Sequence, residues 1–151
     1  MRSRAPLART RDGEAVDPSV LAATAALLVE VAYGDHDFVD AERRTIRKSL
    51  AHAFGISRAD SQALLESVDP RSRHAGDLAR SARVIVGSYD WAQRQQILGL
   101  VWAVVFADRI VDDAEERLAA RLTALLSLTP EQSLEAREKA FQWFSTSRSE
   151  T

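Results

Sequence analysis

Cysteine is absent from the 151 residues. Disulfides, thiolate metal sites, Fe–S clusters and a cysteine nucleophile are therefore all excluded. Asn is missing too, and Lys occurs twice against eighteen Arg, a bias that reads as genomic composition rather than chemistry. Alternating Val/Ile/Thr runs and Asn-Gly turns are lacking, which removes the signals of strands and hairpins. The longest strongly apolar stretch, ILGLVWAVVFA at 97–107, is about half of the roughly 20 residues that a membrane-spanning helix needs, so it reads as a core helix. There is no glycine-rich phosphate loop, no His-Glu-x-x-His and no Glu-x-x-His, which removes P-loop NTPases, zincins and di-iron bundles. Nor is charge of one sign in excess: the net charge is −2 and the pI about 5.9, giving no electrostatic reason to bind nucleic acid. The first residues, MRSRAPLARTRDGEAV, carry Arg2, Arg4, Arg9 and Arg11 but no apolar h-region, so they are no secretory signal, and the chain is read as cytoplasmic.

Helix starts, by contrast, are frequent. Asp17-Pro18 places an N-cap before a proline at N1 and opens a helix to about Tyr33, with Leu21, Ala25, Leu28 and Ala32 on one face. A second helix opens near Asp40, packs Ile46, Leu50 and Phe54, and stops at Gly55. Ser57 with Asp60 starts a third, which ends before Asp69-Pro70, and DPRSRHAG at 69–76 is a loop. A fourth spans about 77–87; Asp90 with Gln93 caps a fifth, Asp113 with Glu116 a sixth, and Thr129-Pro130-Glu131-Gln132 a seventh, whose Leu134, Phe141 and Phe144 are expected to face inward. The fold class is all-α with about seven helices. Residues 1–16 read as a flexible basic arm, 17–146 as one helical domain and 147–151 as a disordered tail.

The two halves align without a gap at an offset of 73. Between 27–44 and 100–117 the identities are Leu27/Leu100, Val31/Val104, Asp35/Asp108, Asp40/Asp113, Ala41/Ala114, Glu42/Glu115 and Arg44/Arg117. A shared helical period does not produce so many, so the chain reads as two related three-helix units joined by the fourth helix. Ser57 matches Thr129 at an offset of 72, one residue having been inserted or deleted between.

The repeated element of chemical interest is an acidic turn, GDHDFVDAE at 34–42 and ADRIVDDAE at 107–115. Asp40 and Asp113 read as N-caps, and Glu42 and Glu115 fall in a first helical turn, where the macrodipole favours negative charge. Asp35 and Asp108 sit at or just past a helix C-terminus, where the dipole disfavours an anion, so each calls for a cation or for the backbone N–H groups of an Asx-turn. If the two turns converge, Asp35, Glu42, Asp108 and Glu115 surround one volume. Hard oxygen donors of that kind suit Ca²⁺, Mg²⁺ or Mn²⁺. The spacing is not that of an EF-hand, because position 6 counted from Asp35 is Asp40 rather than Gly. Asp37 and Asp112 occur in one half each and read as solvated. Asp35-His36-Asp37 has no nucleophile or oxyanion element beside it, His52 and His74 lack ligand spacing, and no enzymatic activity is expected. Trp102 and Trp143 read as packing residues and Trp91 as partly exposed.

The segments VAYGDHDFVDAE and VVFADRIVDDAE, each running from helix through acidic turn to helix, resemble the tellurite-resistance TerB family and its TerB-like relatives. The resemblance covers about residues 18–145. It implies a seven-helix fold and a metal-binding acidic cluster, with Asp35 and Asp108 at the motif Asp and Glu42 and Glu115 at the motif Glu. It also implies a role in bacterial stress response near the membrane, alongside the TerC membrane protein and TerD-like calcium-binding proteins, with a protein partner and no reaction. The family's motif Gly is replaced by His36 and Arg109, and Arg109 offers an internal counter-charge in place of an ion. Direct capture of tellurite is disfavoured, because that oxyanion would meet carboxylates where it needs donors. A helical protein-interaction domain like that of DnaJ-type membrane co-chaperones, its acidic loops on a basic partner, is the alternative.

Overall fold

The computed structural model describes residues 7–33, 40–68, 77–106 and 113–149, and the side chains of 7–32, 43–68, 77–105 and 113–142. Seven helices account for almost all of them: α1 (Pro18–Tyr33), α2 (Asp40–Phe54), α3 (Arg58–Ser67), α4 (Asp77–Ser88), α5 (Trp91–Phe106), α6 (Asp113–Leu125) and α7 (Pro130–Ser149). Among the described residues there is no strand, only an isolated antiparallel pairing of Arg9 with Ala15.

Two helices are apolar nearly all round and take the centre, as such helices must. In α1, Ala25, Leu27, Leu28, Val29, Val31 and Ala32 are buried; in α5, Ile97, Leu98, Val101, Trp102, Val104 and Val105 are. These two pack on each other, and the remaining helices lean their single apolar stripes on them. In α4 the stripe is Leu78, Ala82 and Ile85.

The duplication is present in three dimensions. Helices α1 and α5 start 73 positions apart, at Pro18 and Trp91. Their caps correspond as well. Asp17 Oδ1 accepts from the N–H groups of Ser19 (3.0 Å) and Val20 (3.3 Å). Its counterpart Asp90 accepts from Gln93 N–H (2.9 Å) while the Gln93 side chain accepts from Asp90 N–H (3.1 Å). The left-handed residues that close α2 and α6 match at an offset of 72. Gly55 has φ +69° and Ile56 N–H reaches back to Ala51 O (3.1 Å); Ser127 has φ +57° and Leu128 N–H reaches Thr123 O (3.0 Å). Both are Schellman caps, the second built on a serine. Ser57 and Thr129 then start α3 and α7, accepting from Asp60 and Gln132 N–H respectively.

Two expectations are corrected. The described part of the N-terminal arm is fastened to the bundle rather than solvated. Leu7 is fully buried and its N–H bonds Ala53 O (2.9 Å), while Tyr89, also fully buried, donates its hydroxyl to Leu7 O (2.6 Å). Arg11 donates from its guanidinium to the carbonyls of Val86 and Tyr89 at the end of α4, and Gln93 donates to Arg9 O (2.7 Å). Gly13, at φ +83°, makes the reversal that brings Thr10 N–H to Glu14 O (2.8 Å). A buried carbonyl needs a donor, and a basic residue serves as well to cap α4 as to be solvated. The second correction is α7. Leu134 and Phe141 are each 57 % exposed, because the helix turns Ala136 and Ala140 inward against α5 instead. The Phe144 side chain lies outside the described residues, and α7 runs on to Ser149.

Candidate metal centre

Each acidic turn follows a central helix and feeds the first turn of the next. Of the four carboxylates read from the sequence, Asp35 and Asp108 lie outside the described residues, in 34–39 and 107–112, together with His36, Asp37, Arg109 and Asp112. The backbone of Glu42 lies in the first turn of α2, its side chain outside the described set. Glu115 is the described member. It lies in the first turn of α6, is 4 % exposed, and its Oε2 is shut off from solvent. Its neighbours in the same turn are ordinary surface acids. Asp113 is exposed, and Glu116 makes a half-exposed ion pair with Arg137 (3.2 Å), a contact worth at most about 1 kcal/mol. The described parts of α2 and α6 begin at Asp40 and Asp113, and the residues before them lie outside the described set.

Burial separates Glu115 from Asp113 and Glu116, and helical geometry explains it: Ala119 and Leu122, four and seven positions on, continue the same inward face. The helix N-terminus supplies the positive end of the backbone dipole to a carboxylate that water does not reach. Among the described residues no group of three or more His, Asp or Glu is close enough to hold a metal. The convergence of the two turns therefore depends on 34–39 and 107–112.

The arm and a groove between α5 and α7 escape the sequence reading. A space of about 480 Å³ opens where Leu7, α2, α5 and the middle of α7 meet, and Glu115, the described carboxylate of the four, is not among the residues that line it. Trp91, 52 % exposed, stands on its wall. Its sequence signal was the small residues of α7 at i, i+4, Ala136 and Ala140, which periodicity alone passes over beside Leu134 and Phe141.

Known proteins bear on this arrangement as follows. No curated protein matches the chain. A crystal structure of a protein of unknown function from Porphyromonas gingivalis W83 has the same fold at 18 % identity with a TM-score of 0.64, covering 83 % of this chain and 89 % of that one. The family model for tellurite resistance protein TerB matches residues 21–138, most of the chain and both acidic turns. With the repeated helix–turn–helix units already in place, the chain belongs to the TerB family.

Proposed function

We propose that this TerB-family chain is a non-catalytic module that binds a divalent cation through its acidic turns and serves a bacterial stress response in the cytoplasm, with a membrane-associated protein partner. The observation that carries the ion is Glu115. A carboxylate 4 % exposed in a first helical turn stays ionised only where donors or positive charge face it, and a cation shared with the acidic turns would add to the contacts that Glu115 already makes. Its position is also the one that repeats at Glu42. Asp35, Glu42, Asp108 and Glu115 are the residues that would hold the ion, and all four offer the hard oxygen donors that Ca²⁺, Mg²⁺ and Mn²⁺ take.

Titration of each of the three ions into chelator-treated protein tests this. Binding to the folded state alone adds RT ln(1 + [L]/Kd), about 2.7 kcal/mol at a hundredfold excess over Kd, so the Tm rises by several degrees. Glu115→Gln should abolish most of that rise. No shift with any ion would reject the ion site. It would put ahead the second reading, a helical protein-interaction domain, which the exposed Leu134 and Phe141, seven residues apart on one side of α7, also support.

A further inference from the structure

The groove between α5 and α7 has the features of a small-molecule site. Its volume, about 480 Å³, lies within the range of roughly 300–1,000 Å³ that ligand pockets occupy. Ala53, Gly99, Ala103, Ala136 and Ala140 line it, and their small side chains leave a narrow apolar slot between the helices. Gly99 is what keeps the slot open. A Cβ there would meet nothing nearer than Ala136 O at 3.9 Å, so the backbone does not require glycine.

Ser49 of α2 also lines the groove. It is 1 % exposed, and its hydroxyl is buried with no hydrogen-bond partner among the described residues. Helical hydroxyls usually turn back to the carbonyl four residues earlier. Thr24, Ser88 and Thr123 all do so, to Val20 O (3.0 Å), Val84 O (3.0 Å) and Ala119 O (2.8 Å), and Ser49 does not. An unsatisfied hydroxyl buried beside a cavity has a bonding capacity that a rotation about χ1 turns toward a ligand's polar atom. The half-exposed indole of Trp91 gives the same cavity a flat face. The charges at the rim are spent on each other: Glu135 takes a bond from Gln95 (2.8 Å) and pairs with Lys139 (3.5 Å). No strong single-sign field is left to select an ion.

We infer that the α5–α7 groove binds an uncharged, planar, amphipathic small molecule, its ring against Trp91 and in the Gly99 slot and its one hydrogen-bonding atom on the Ser49 hydroxyl. The site does not draw on Glu115, and the inference does not depend on the acidic turns holding an ion.

The uncharged fluorophore N-phenylnaphthylamine, planar with one N–H, is the probe, titrated into the full chain, with the anionic anilinonaphthalenesulfonate and oleate as comparators. Saturable one-to-one binding is expected. Gly99→Leu, which fills the slot and favours helix, should weaken it by at least about tenfold with helicity and Tm maintained. Ser49→Ala should weaken it by roughly three- to tenfold. Leu134→Gln, on the other side of α7, should leave it unchanged. Non-saturable or absent binding overturns the inference. So does wild-type affinity in a folded Gly99→Leu protein, or tighter binding of either anion at the same site. A dimer seen by sedimentation and broken by Gly99→Leu assigns the groove to a second copy and overturns it equally.

Discussion

Tyr89 illustrates how single residues hold this bundle. It lies just past α4, fully buried, and its hydroxyl satisfies the carbonyl of a residue 82 positions earlier. Burial first, and the charge of Asp17 second, push its pKa well above the ordinary value of 10. The neutral phenol is thus the form that the fold requires. Its contribution is complete below pH 10 and is lost as the pH rises above it, where the unfolded chain releases a proton that the folded chain keeps. Tyr89→Phe should cost about 1–3 kcal/mol in urea denaturation at pH 7, since it strands the Leu7 carbonyl, and should flatten the loss of stability above pH 10. Asp17 works in the opposite window. Its bonds to Ser19 and Val20 lower its pKa below 3.8, so its cap contributes at neutral pH and weakens as the pH falls toward the folded value. Ser127 is a cost at the same scale. It adopts φ +57° where the first half has Gly55, and Ser127→Gly should raise stability by about 0.5–1 kcal/mol, measured by the same denaturation.

Among the elements, α7 shows where periodicity fails. A strict apolar reading puts Leu134 and Phe141 inside; the helix instead presents Ala136 and Ala140 to α5. Close approach of two helix axes selects small residues, and a hydrophobicity pattern ranks alanine below leucine. Arg137 closes the seam from the other side, its guanidinium 4.6 Å from the centre of the Trp102 ring. Ala136→Asp, which places a carboxylate on the buried face, should therefore destabilise by about 1–3 kcal/mol, while Leu134→Gln should change stability by no more than about 0.5 kcal/mol. Thermal and urea unfolding of the pair would decide which face is the core face. The caps, by contrast, were legible. Asp17, Ser57, Asp90 and Thr129 all bond as their spacing to the next polar residue predicts, because a cap is satisfied within four residues of chain.

For the molecule as a whole, the arm and the repeat matter most. Leu7, Tyr89, Arg11 and Gln93 tie the described N-terminal residues to α2, α4 and α5. Removing residues 1–16 should cost more than the roughly 1.5–3 kcal/mol of burying one leucine, with a drop in Tm well beyond that of trimming a solvated tail. The truncation also removes a wall of the α5–α7 groove, which Leu7 helps to line. Meanwhile the two halves have diverged in how they close. In the first, α3 leans mainly on α2, and in the second the longer α7 leans mainly on α5. The groove beside α7 takes its walls from both halves, Ser49 and Ala53 of α2 standing with Gly99 of α5 and Ala136 of α7.

What the chain determined by itself is local or repeated: the all-helical class, the caps of α1, α3, α5 and α7, the left-handed cap at Gly55, and the duplication that aligns Asp35 and Glu42 with Asp108 and Glu115 along the sequence. Each depends on contacts within a few residues or on identity at one offset. Only the tertiary structure decided that Glu115 is buried while Asp113 and Glu116 are not, that a basic arm is anchored by Tyr89, and that Ser49, Gly99 and Trp91 share one cavity. Those outcomes depend on which faces of distant helices meet, and helix packing is chosen by side-chain volume summed over several elements, a quantity that no single segment carries.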